Sequence, residues 1–95
     1  MKKLNKNEVL ERMISIDREW KLKEDHIQRV VILDDFKSAF SFMTSVAFIA
    51  ELNNHHPNWT NVYNKVSISL STHEAEGLTE KDFDMAKEID LLIEK

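Results

Sequence analysis

Cysteine is absent from the 95 residues, which excludes disulfide bonds, thiolate catalysis and zinc sites built on cysteine. Glycine and proline occur once each, so few positions favour a positive φ, and we expect short loops between long elements. No apolar run approaches the roughly 20 residues that cross a bilayer, and the first residues lack the apolar core of a signal peptide. We therefore expect a cytoplasmic protein with no membrane partner.

The charge balance gives no reason to expect a nucleic-acid partner. Asp and Glu number 17 against 13 Lys and Arg, for a formal charge of −4, whereas binding to phosphate backbones needs clustered Lys and Arg. No repeat, linker or low-complexity segment interrupts the chain. We expect one domain that spans residues 1–95.

The spacing of apolar residues predicts three helices and four strands. The helices cover 6–17, 36–52 and the segment from Thr79 onward, and the strands cover 20–23, 26–33, 59–63 and 66–71. Apolar residues alternate with serines over 66–71, which is typical of a strand with one buried face. The order α-β-β-α-β-β-α predicts an α+β two-layer sandwich, with a four-stranded antiparallel sheet and the helices on one face.

The central predicted helix is apolar on two sides. One stripe consists of Phe36, Phe40, Met43, Ala47 and Ala50, and the other of Ala39, Phe42, Val46 and Ile49. A helix of this kind has to be covered on more than one side. We expect one stripe to pack on the sheet and the other on a second subunit, in a homodimer or a homotetramer.

Three of the four histidines lie within nineteen residues, in the pair His55-His56 and at His73. Glu51 precedes His55 by one helical turn, so both side chains can point from the helix end into the same space. Antiparallel pairing of the last two predicted strands returns His73 to the neighbourhood of His55, His56 and Pro57. Histidine exchanges protons near neutral pH, so a converging set would suit acid–base catalysis.

Spacing alone leaves other interpretations open. A histidine at a helix C-terminus often does no more than complement the helix dipole, and His26 fits a simple turn position. Three histidines could also bind zinc, although an adjacent pair followed by proline suits one metal poorly. Trp59 and Tyr63 could be core aromatics, and Asp82 could serve only to start the last helix, in an approximate capping box with Thr79.

A longer pattern narrows these alternatives. The spacing Glu51-x3-His55-His56-Pro57-x5-Tyr63-x9-His73-x8-Asp82 resembles the signature of the pterin-4a-carbinolamine dehydratases at every position. The segments 40–44, 61–66 and 70–74 are also similar to that family, and the similarity extends from about Trp20 to the last helix.

The resemblance implies a specific activity. Members of the family dehydrate 4a-hydroxytetrahydropterins, which aromatic amino acid hydroxylases form, to quinonoid dihydropterins during tetrahydrobiopterin recycling, without a metal or other cofactor. It implies that His55 and His73 act as general acids and that His56 binds substrate and assists as a base. Glu51 would orient a histidine or help to take the N5 proton. The implied substrate-binding residues are Asn54, Pro57, Ser71, Thr72, Glu74, Trp20 and Trp59.

The resemblance also implies a second role. Members of the family serve as dimerisation cofactors for a homeodomain transcription factor, through the apolar helix surface that otherwise joins subunits. A coactivator-type binding protein is therefore the alternative to the enzyme. A homologue that binds pterin without catalysis is a third possibility, which the complete histidine set disfavours.

Overall fold

Three helices cover one face of a four-stranded antiparallel sheet in the computed structural model, which describes residues 2–93. The helices are α1 (Lys6–Met13), α2 (Phe36–Asn53) and α3 (Glu80–Ile93), with a 3₁₀ turn at His73–Ala75; the strands are β1 (Lys21–Leu22), β2 (Ile27–Ile32), β3 (Asn58–Val62) and β4 (Lys65–Leu70). The predicted α+β class and the predicted order of elements are confirmed. Within residues 2–93, no helix is both long and apolar enough to cross a membrane.

The sheet has the strand order β1-β2-β4-β3, so β4 lies in the interior beside β2. Ile27 pairs with Leu70 across β2 and β4, and Asn58 pairs with Ser69 across β3 and β4. Because successive side chains on a strand alternate between faces, the serines of β4 lie on the side away from the helices. This register brings the start of β2, the start of β3 and the end of β4 to one end of the sheet.

The core lies between the sheet and the helices. Its largest fully buried side chains include Ile27, Ile68, Leu70, Phe83 and Ile89. The inner stripe of α2 is buried as predicted, at Ala39, Phe42 and Val46. Burial of this apolar surface, rather than helix or strand propensity, supplies most of the stabilising free energy of such a small domain.

The first helix is shorter than predicted. A capping box between Asn5 and Glu8 begins it, but it ends at Met13 instead of residue 17. The chain then turns so that Ile16 is buried and the backbone N–H of Asp17 donates to Asp90 Oδ2. A tertiary hydrogen bond to α3 therefore overrides the helical periodicity.

Asp90 holds a buried polar cluster beneath α3. Its carboxylate accepts hydrogen bonds from Asp17 N, from Trp20 Nε1 at 2.8 Å and from Arg29 Nη1 at 2.7 Å. Arg29 and Asp90 are 8% and 7% exposed, so the charge of Asp90 needs that of Arg29, and Arg29 also lies 3.5 Å from Asp17 Oδ1. The cluster ties the segment after α1 to β2 and α3.

The outer surface of α2 remains apolar and exposed. The exposed side chains are Phe36, Phe40, Phe48 and Leu52, which are between 51% and 87% exposed. Asp35 caps the start of the helix by accepting a hydrogen bond from Ser38 N at 2.7 Å. The helix was predicted to need cover on two sides. The sheet covers one side, and the other side is exposed within the described part of the chain.

Candidate active site

The end of α2 separates the directions of His55 and His56. Asn54 follows the helix in the left-handed conformation, with φ 49° and ψ 44°, and the His55 N–H donates back to Ala50 O. Asparagine adopts this conformation more readily than most residues and often ends helices in this way. The reversal sends His55 into the interior, where it is 8% exposed, and leaves His56 at the surface.

His55 is held by a buried carboxylate. Its Nε2 lies 2.6 Å from Asp82 Oδ1, and Asp82 is fully buried. The other oxygen, Oδ2, accepts hydrogen bonds from Thr72 Oγ1 and from the backbone N–H of Thr79, both at 2.9 Å. A buried carboxylate needs such hydrogen-bond partners. Because an ionised carboxylate can only accept, a hydrogen bond to it from His55 requires the ring proton on Nε2. Nδ1 is then the nitrogen left for other partners.

Asp82 therefore does more than start a helix. It forms one half of the predicted capping box by accepting the Thr79 N–H, and it also contacts His55, 27 residues away in the sequence. The prediction limited Asp82 to the capping role because no local pattern connects it to His55.

Glu51 pairs with His56, whereas the helical spacing predicted only that Glu51 and His55 point into the same space. The distance from Glu51 Oε2 to His56 Nε2 is 2.6 Å. The left-handed turn at Asn54 is the reason, since it takes His55 off the helical path and brings His56 back over the last turn. Both side chains are more than half exposed, so the pair orients the imidazole but adds little stability.

A short closed loop presents His73. Thr72 forms an isolated β-bridge with Gly77, in which Thr72 N donates to Gly77 O at 2.8 Å. Between them lies the 3₁₀ turn His73–Ala75, followed by Glu76 in the left-handed conformation. Thr72 is buried while His73 is exposed. The loop thus buries the side chain of Thr72 and exposes the side chain of His73.

These elements form one cleft with two adjoining lobes. His56, Ser71 and His73 line both lobes. The first, here called the His55 lobe, has a volume of about 440 Å³ and is completed by Asn54, His55, Thr72, Glu74 and Lys81. The second, the His26 lobe, has a volume of about 370 Å³ and is completed by His26, Pro57, Asn58 and Ser69. The structure therefore brings His55, His56, His73 and Pro57 together, as the strand pairing predicted.

The two tryptophans predicted to bind substrate do not line either lobe. Trp20 is 2% exposed, and its indole N–H donates to Asp90 in the core. Trp59 is half-buried and packs against the core on the helix side of β3. The prediction that Trp20 contacts the substrate is wrong, because its ring is almost fully buried in the core. Trp59 likewise belongs to the packing of the sheet.

Thr72 lines the His55 lobe, but its hydroxyl group is already occupied. Thr72 Oγ1 donates to Asp82 and lies 2.7 Å from Thr79 Oγ1. Its side chain supports Asp82, and the predicted binding of substrate by Thr72, which included its backbone, stays a prediction. Ser71 and Glu74, by contrast, are exposed at the same lobe.

Four lining residues were not predicted from the sequence: His26, Asn58, Ser69 and Lys81. His26 precedes β2, and the pairing of Ile27 with Leu70 places it beside Ser71. Its Nδ1 lies 3.0 Å from Asp25 Oδ1, a hydrogen bond that lowers the pKa of Asp25. The signal that could have found His26 was the strand order, which requires knowing that β2 and β4 are neighbours.

No group of three or more His, Cys, Asp and Glu side chains within residues 2–93 is arranged to hold a metal ion. The absence of a metal or cofactor from the reaction stays a prediction. What the geometry provides is three histidine–carboxylate pairs and a fourth histidine, His73, around one cleft, in a small α+β protein. That combination can orient imidazoles for proton transfer.

The comparisons with known proteins identify the family. A family model described as "Pterin 4 alpha carbinolamine dehydratase" matches residues 2–92. The chain belongs to this family. The predicted resemblance is therefore confirmed.

The similar proteins match this chain over nearly its whole length. A protein of Christiangramia forsetii named "Putative pterin-4-alpha-carbinolamine dehydratase" is 44% identical over 94 residues, which cover 99% of this chain and 96% of its own. A Prochlorococcus marinus protein of the same name is 47% identical, with 97% and 96% covered. A crystal structure from Brucella melitensis, described as a transcriptional coactivator/pterin dehydratase, has a TM-score of 0.90 and 36% identity, with 95% of this chain and 97% of that chain covered.

Proposed function

We propose that this protein dehydrates 4a-hydroxytetrahydropterins to quinonoid dihydropterins by histidine acid–base catalysis, in the recycling of tetrahydrobiopterin. The observation that carries the proposal is the meeting of His55, His56 and His73 at one cleft, in a chain of this family. In the reaction the bond from C4a to the hydroxyl oxygen breaks, an acid protonates the leaving oxygen, and N5 loses its proton as the C4a–N5 double bond forms. Water is the only by-product.

The reaction needs an acid near the leaving hydroxyl and a base near N5–H, each within hydrogen-bond reach. We assign the acid roles to His55 and His73, which enter the His55 lobe from α2 and from the Thr72–Gly77 loop. His56 binds substrate and assists as base, and the 2.6 Å contact with Glu51 supports an orienting role for that carboxylate. Ser71, Glu74 and Asn54 supply hydrogen bonds for the polar edge of the pterin.

His73→Ala tests the assignment most cleanly, because His73 is exposed and its loss leaves no buried partner unpaired. We expect the enzymatic rate to fall by about 10²–10⁴-fold, the contribution typical of a general acid. A phenylalanine hydroxylase generates the 4a-carbinolamine, and its dehydration is followed by absorbance with and without this protein. Thr60→Ala, an exposed change outside the cleft, is the control.

Two results would contradict these proposals separately. No acceleration by the unmodified protein would reject the dehydratase function. Acceleration that His73→Ala leaves undiminished would reject only the role of His73.

We further propose that the exposed apolar surface of α2 joins copies of this chain into a homodimer or homotetramer. Phe36 and Phe40 have ring centroids 6.2 Å apart on this surface, and Phe48 is 69% exposed. Large exposed apolar patches on small proteins commonly mark interfaces. The cytoplasmic location of the protein and its link to an aromatic amino acid hydroxylase also remain predictions.

A coactivator-type binding function is the alternative. It is favoured by the same surface of α2 and by the description of the Brucella melitensis protein as a transcriptional coactivator/pterin dehydratase. Size-exclusion chromatography with light scattering, followed by a pull-down with candidate transcription factors, distinguishes a self-associating enzyme from a protein that exchanges partners.

A further inference from the structure

Thr72 joins the supports of two histidines that line the His55 lobe. Its backbone pairs with Gly77 in the bridge that closes the loop around His73, and its hydroxyl oxygen lies 2.9 Å from Asp82 Oδ2. The other oxygen of Asp82 contacts His55 Nε2 at 2.6 Å. One residue, 3% exposed, therefore connects the loop that presents His73 to the carboxylate that holds His55.

The hydrogen bonds around Thr72 form a chain that points in one direction, toward Asp82. Thr72 Oγ1 donates to Asp82 Oδ2, and a hydroxyl group has only one hydrogen to donate. In the 2.7 Å contact between Thr72 Oγ1 and Thr79 Oγ1, Thr79 is therefore the donor. Thr79 Oγ1 accepts in turn from the backbone N–H of Lys81 at 3.3 Å. Both hydroxyl groups thus donate once and accept once.

Burial makes this chain sensitive to the loss of one hydroxyl group. Thr79 and Asp82 are 0% exposed, so solvent does not reach them in the folded protein to replace a missing partner. Without the Thr72 hydroxyl, Asp82 Oδ2 keeps only the backbone N–H of Thr79, and the Thr79 hydroxyl loses its acceptor. Because the members of a buried polar network depend on one another, the carboxylate is then held less firmly against His55.

We propose that Thr72 is a positioning residue that couples His55 to His73. The inference rests on the proposed function, in which these two histidines supply the acids. The Thr72 hydroxyl acts through Asp82 on the orientation of the His55 ring, and the same bond anchors to α3 the loop from which His73 enters the lobe. In this role the hydroxyl acts without touching the substrate.

Nuclear magnetic resonance of the ligand-free protein tests the positioning role without turnover. Thr72→Val removes the hydroxyl and keeps a β-branched side chain of similar shape, whereas Thr72→Ser keeps the hydroxyl. The ring proton between His55 Nε2 and Asp82 is buried, so it should give a resonance far downfield. We expect Thr72→Val to shift or broaden this resonance and to shift the ring signals of His73, and we expect Thr72→Ser to restore both.

Steady-state kinetics separates positioning from direct binding of substrate by the Thr72 hydroxyl. Loss of a positioning contact should lower kcat by about 3- to 10-fold, the equivalent of one neutral hydrogen bond, with little change in KM. Loss of a hydrogen bond to the substrate that is equally strong in the ground state and the transition state would instead raise KM and leave kcat unchanged. Thr72→Ser should recover most of the lost kcat.

Thr60→Val is the matched control, because Thr60 is exposed on β3 and lines neither lobe. It should change neither the histidine resonances nor kcat. The indole N–H of Trp20, which donates to Asp90 in the core, reports in the same spectra whether the fold is intact. Should Thr72→Val disturb that signal, Thr79→Val takes its place, because it removes the donor to Thr72 and should shift the His55 resonance in the same direction.

An unchanged His55 resonance in a variant with a native Trp20 signal would overturn the positioning role. A raised KM with an unchanged kcat for Thr72→Val would also overturn it. If the unmodified protein fails to accelerate dehydration, the proposed function is rejected, whereas the resonances of the ligand-free protein still decide whether Thr72 holds the two histidines.

Discussion

Adjacent histidines acquire different environments in this protein. His55 lies almost fully buried against Asp82, whereas His56 pairs with Glu51 at the surface. A carboxylate bound to one ring nitrogen selects the tautomer and the direction of the other nitrogen. Water competes for the pair of His56 with Glu51 but is excluded from the pair of His55 with Asp82. At the residue scale, the imidazole of His55 is therefore held in place more firmly than that of His56.

Asp82→Asn replaces the carboxylate that contacts His55 with an amide of nearly the same shape. An amide in place of the carboxylate no longer stabilises a protonated imidazole, and it can donate to Nε2 and so reverse the tautomer. We expect kcat to fall by roughly 10- to 100-fold, within the range of acid–base contributions, and the alkaline limb of the pH–rate profile to shift, because a general acid is inactive once it has lost its proton. Stopped-flow assays across pH measure both effects.

Asp84→Asn is the control for that substitution, because Asp84 is exposed on the same helix. A normal pH–rate profile for Asp82→Asn, in a protein with native circular dichroism, would show that Asp82 serves only the fold.

At the scale of single elements, α2 performs two tasks. Its inner stripe packs on the sheet, while its outer surface keeps Phe36, Phe40 and Phe48 in contact with solvent within one chain. Its last turn also supplies Glu51 and the reversal at Asn54. Association through the outer surface would thus stabilise the same helix that positions His55 and His56.

Phe40→Glu combined with Phe48→Glu tests the association. Because both rings are more than half exposed in the single chain, the charges should leave the fold intact and disrupt only contacts between copies. We expect light scattering to report a monomer for the double variant and a dimer or tetramer for the unmodified protein. Lys65→Glu together with Lys87→Glu, two exposed changes outside α2 that also add negative charge, is the control. An oligomer that survives the double phenylalanine variant would place the interface elsewhere.

At the scale of the whole molecule, the Asp90 cluster connects the segment after α1, β2 and α3. Asp90→Ala removes the nearer of two carboxylates from the buried guanidinium of Arg29, which keeps Asp17 Oδ1 at 3.5 Å, and the Trp20 indole N–H loses its acceptor. Removal of one partner from a buried ion pair costs about 3–5 kcal/mol. We expect a loss of this size in urea unfolding, whereas Asp84→Ala, at an exposed position, should cost less than about 0.5 kcal/mol. A loss below about 1 kcal/mol for Asp90→Ala would show that solvent reaches Arg29.

The pair of Arg12 with Glu80 makes part of the stability depend on pH. The side-chain hydrogen bond from Arg12 holds the pKa of Glu80 below its ordinary value. Because the pKa of Glu80 is lower in the folded protein than in the unfolded chain, its ionised form stabilises the fold at pH values above the unfolded pKa of about 4.3. This stabilisation is lost as the pH falls through the folded pKa. Arg12→Met should therefore lower the melting temperature at pH 7 but have little effect at pH 2. Equal losses at the two pH values would assign the effect of Arg12 to packing.

Local patterns predicted most of the elements. The alternation at Val66, Ile68 and Leu70 and the apolar repeat of α2 gave bounds within one or two residues of those observed, because the periods of 2 and 3.6 are properties of the local backbone. The early end of α1 was not predictable in this way, since it depends on a hydrogen bond from Asp17 to Asp90, 73 residues further along the chain.

The sequence by itself determined the family, the types and order of the elements, and the approach of His73 to His55 and His56, because residue spacing and local periodicity carry that information. Only the tertiary structure decided which carboxylate each histidine contacts, where Trp20 lies and that His26 reaches the cleft. These depend on the left-handed turn at Asn54 and on the neighbouring positions of β2 and β4. The physical reason is that strand order and helix-end geometry are selected by burial and hydrogen bonding over the whole fold. Of the three clustered histidines, His55 and His56 are each oriented by a carboxylate, and His73 is exposed. A fourth histidine, His26, lies beside them.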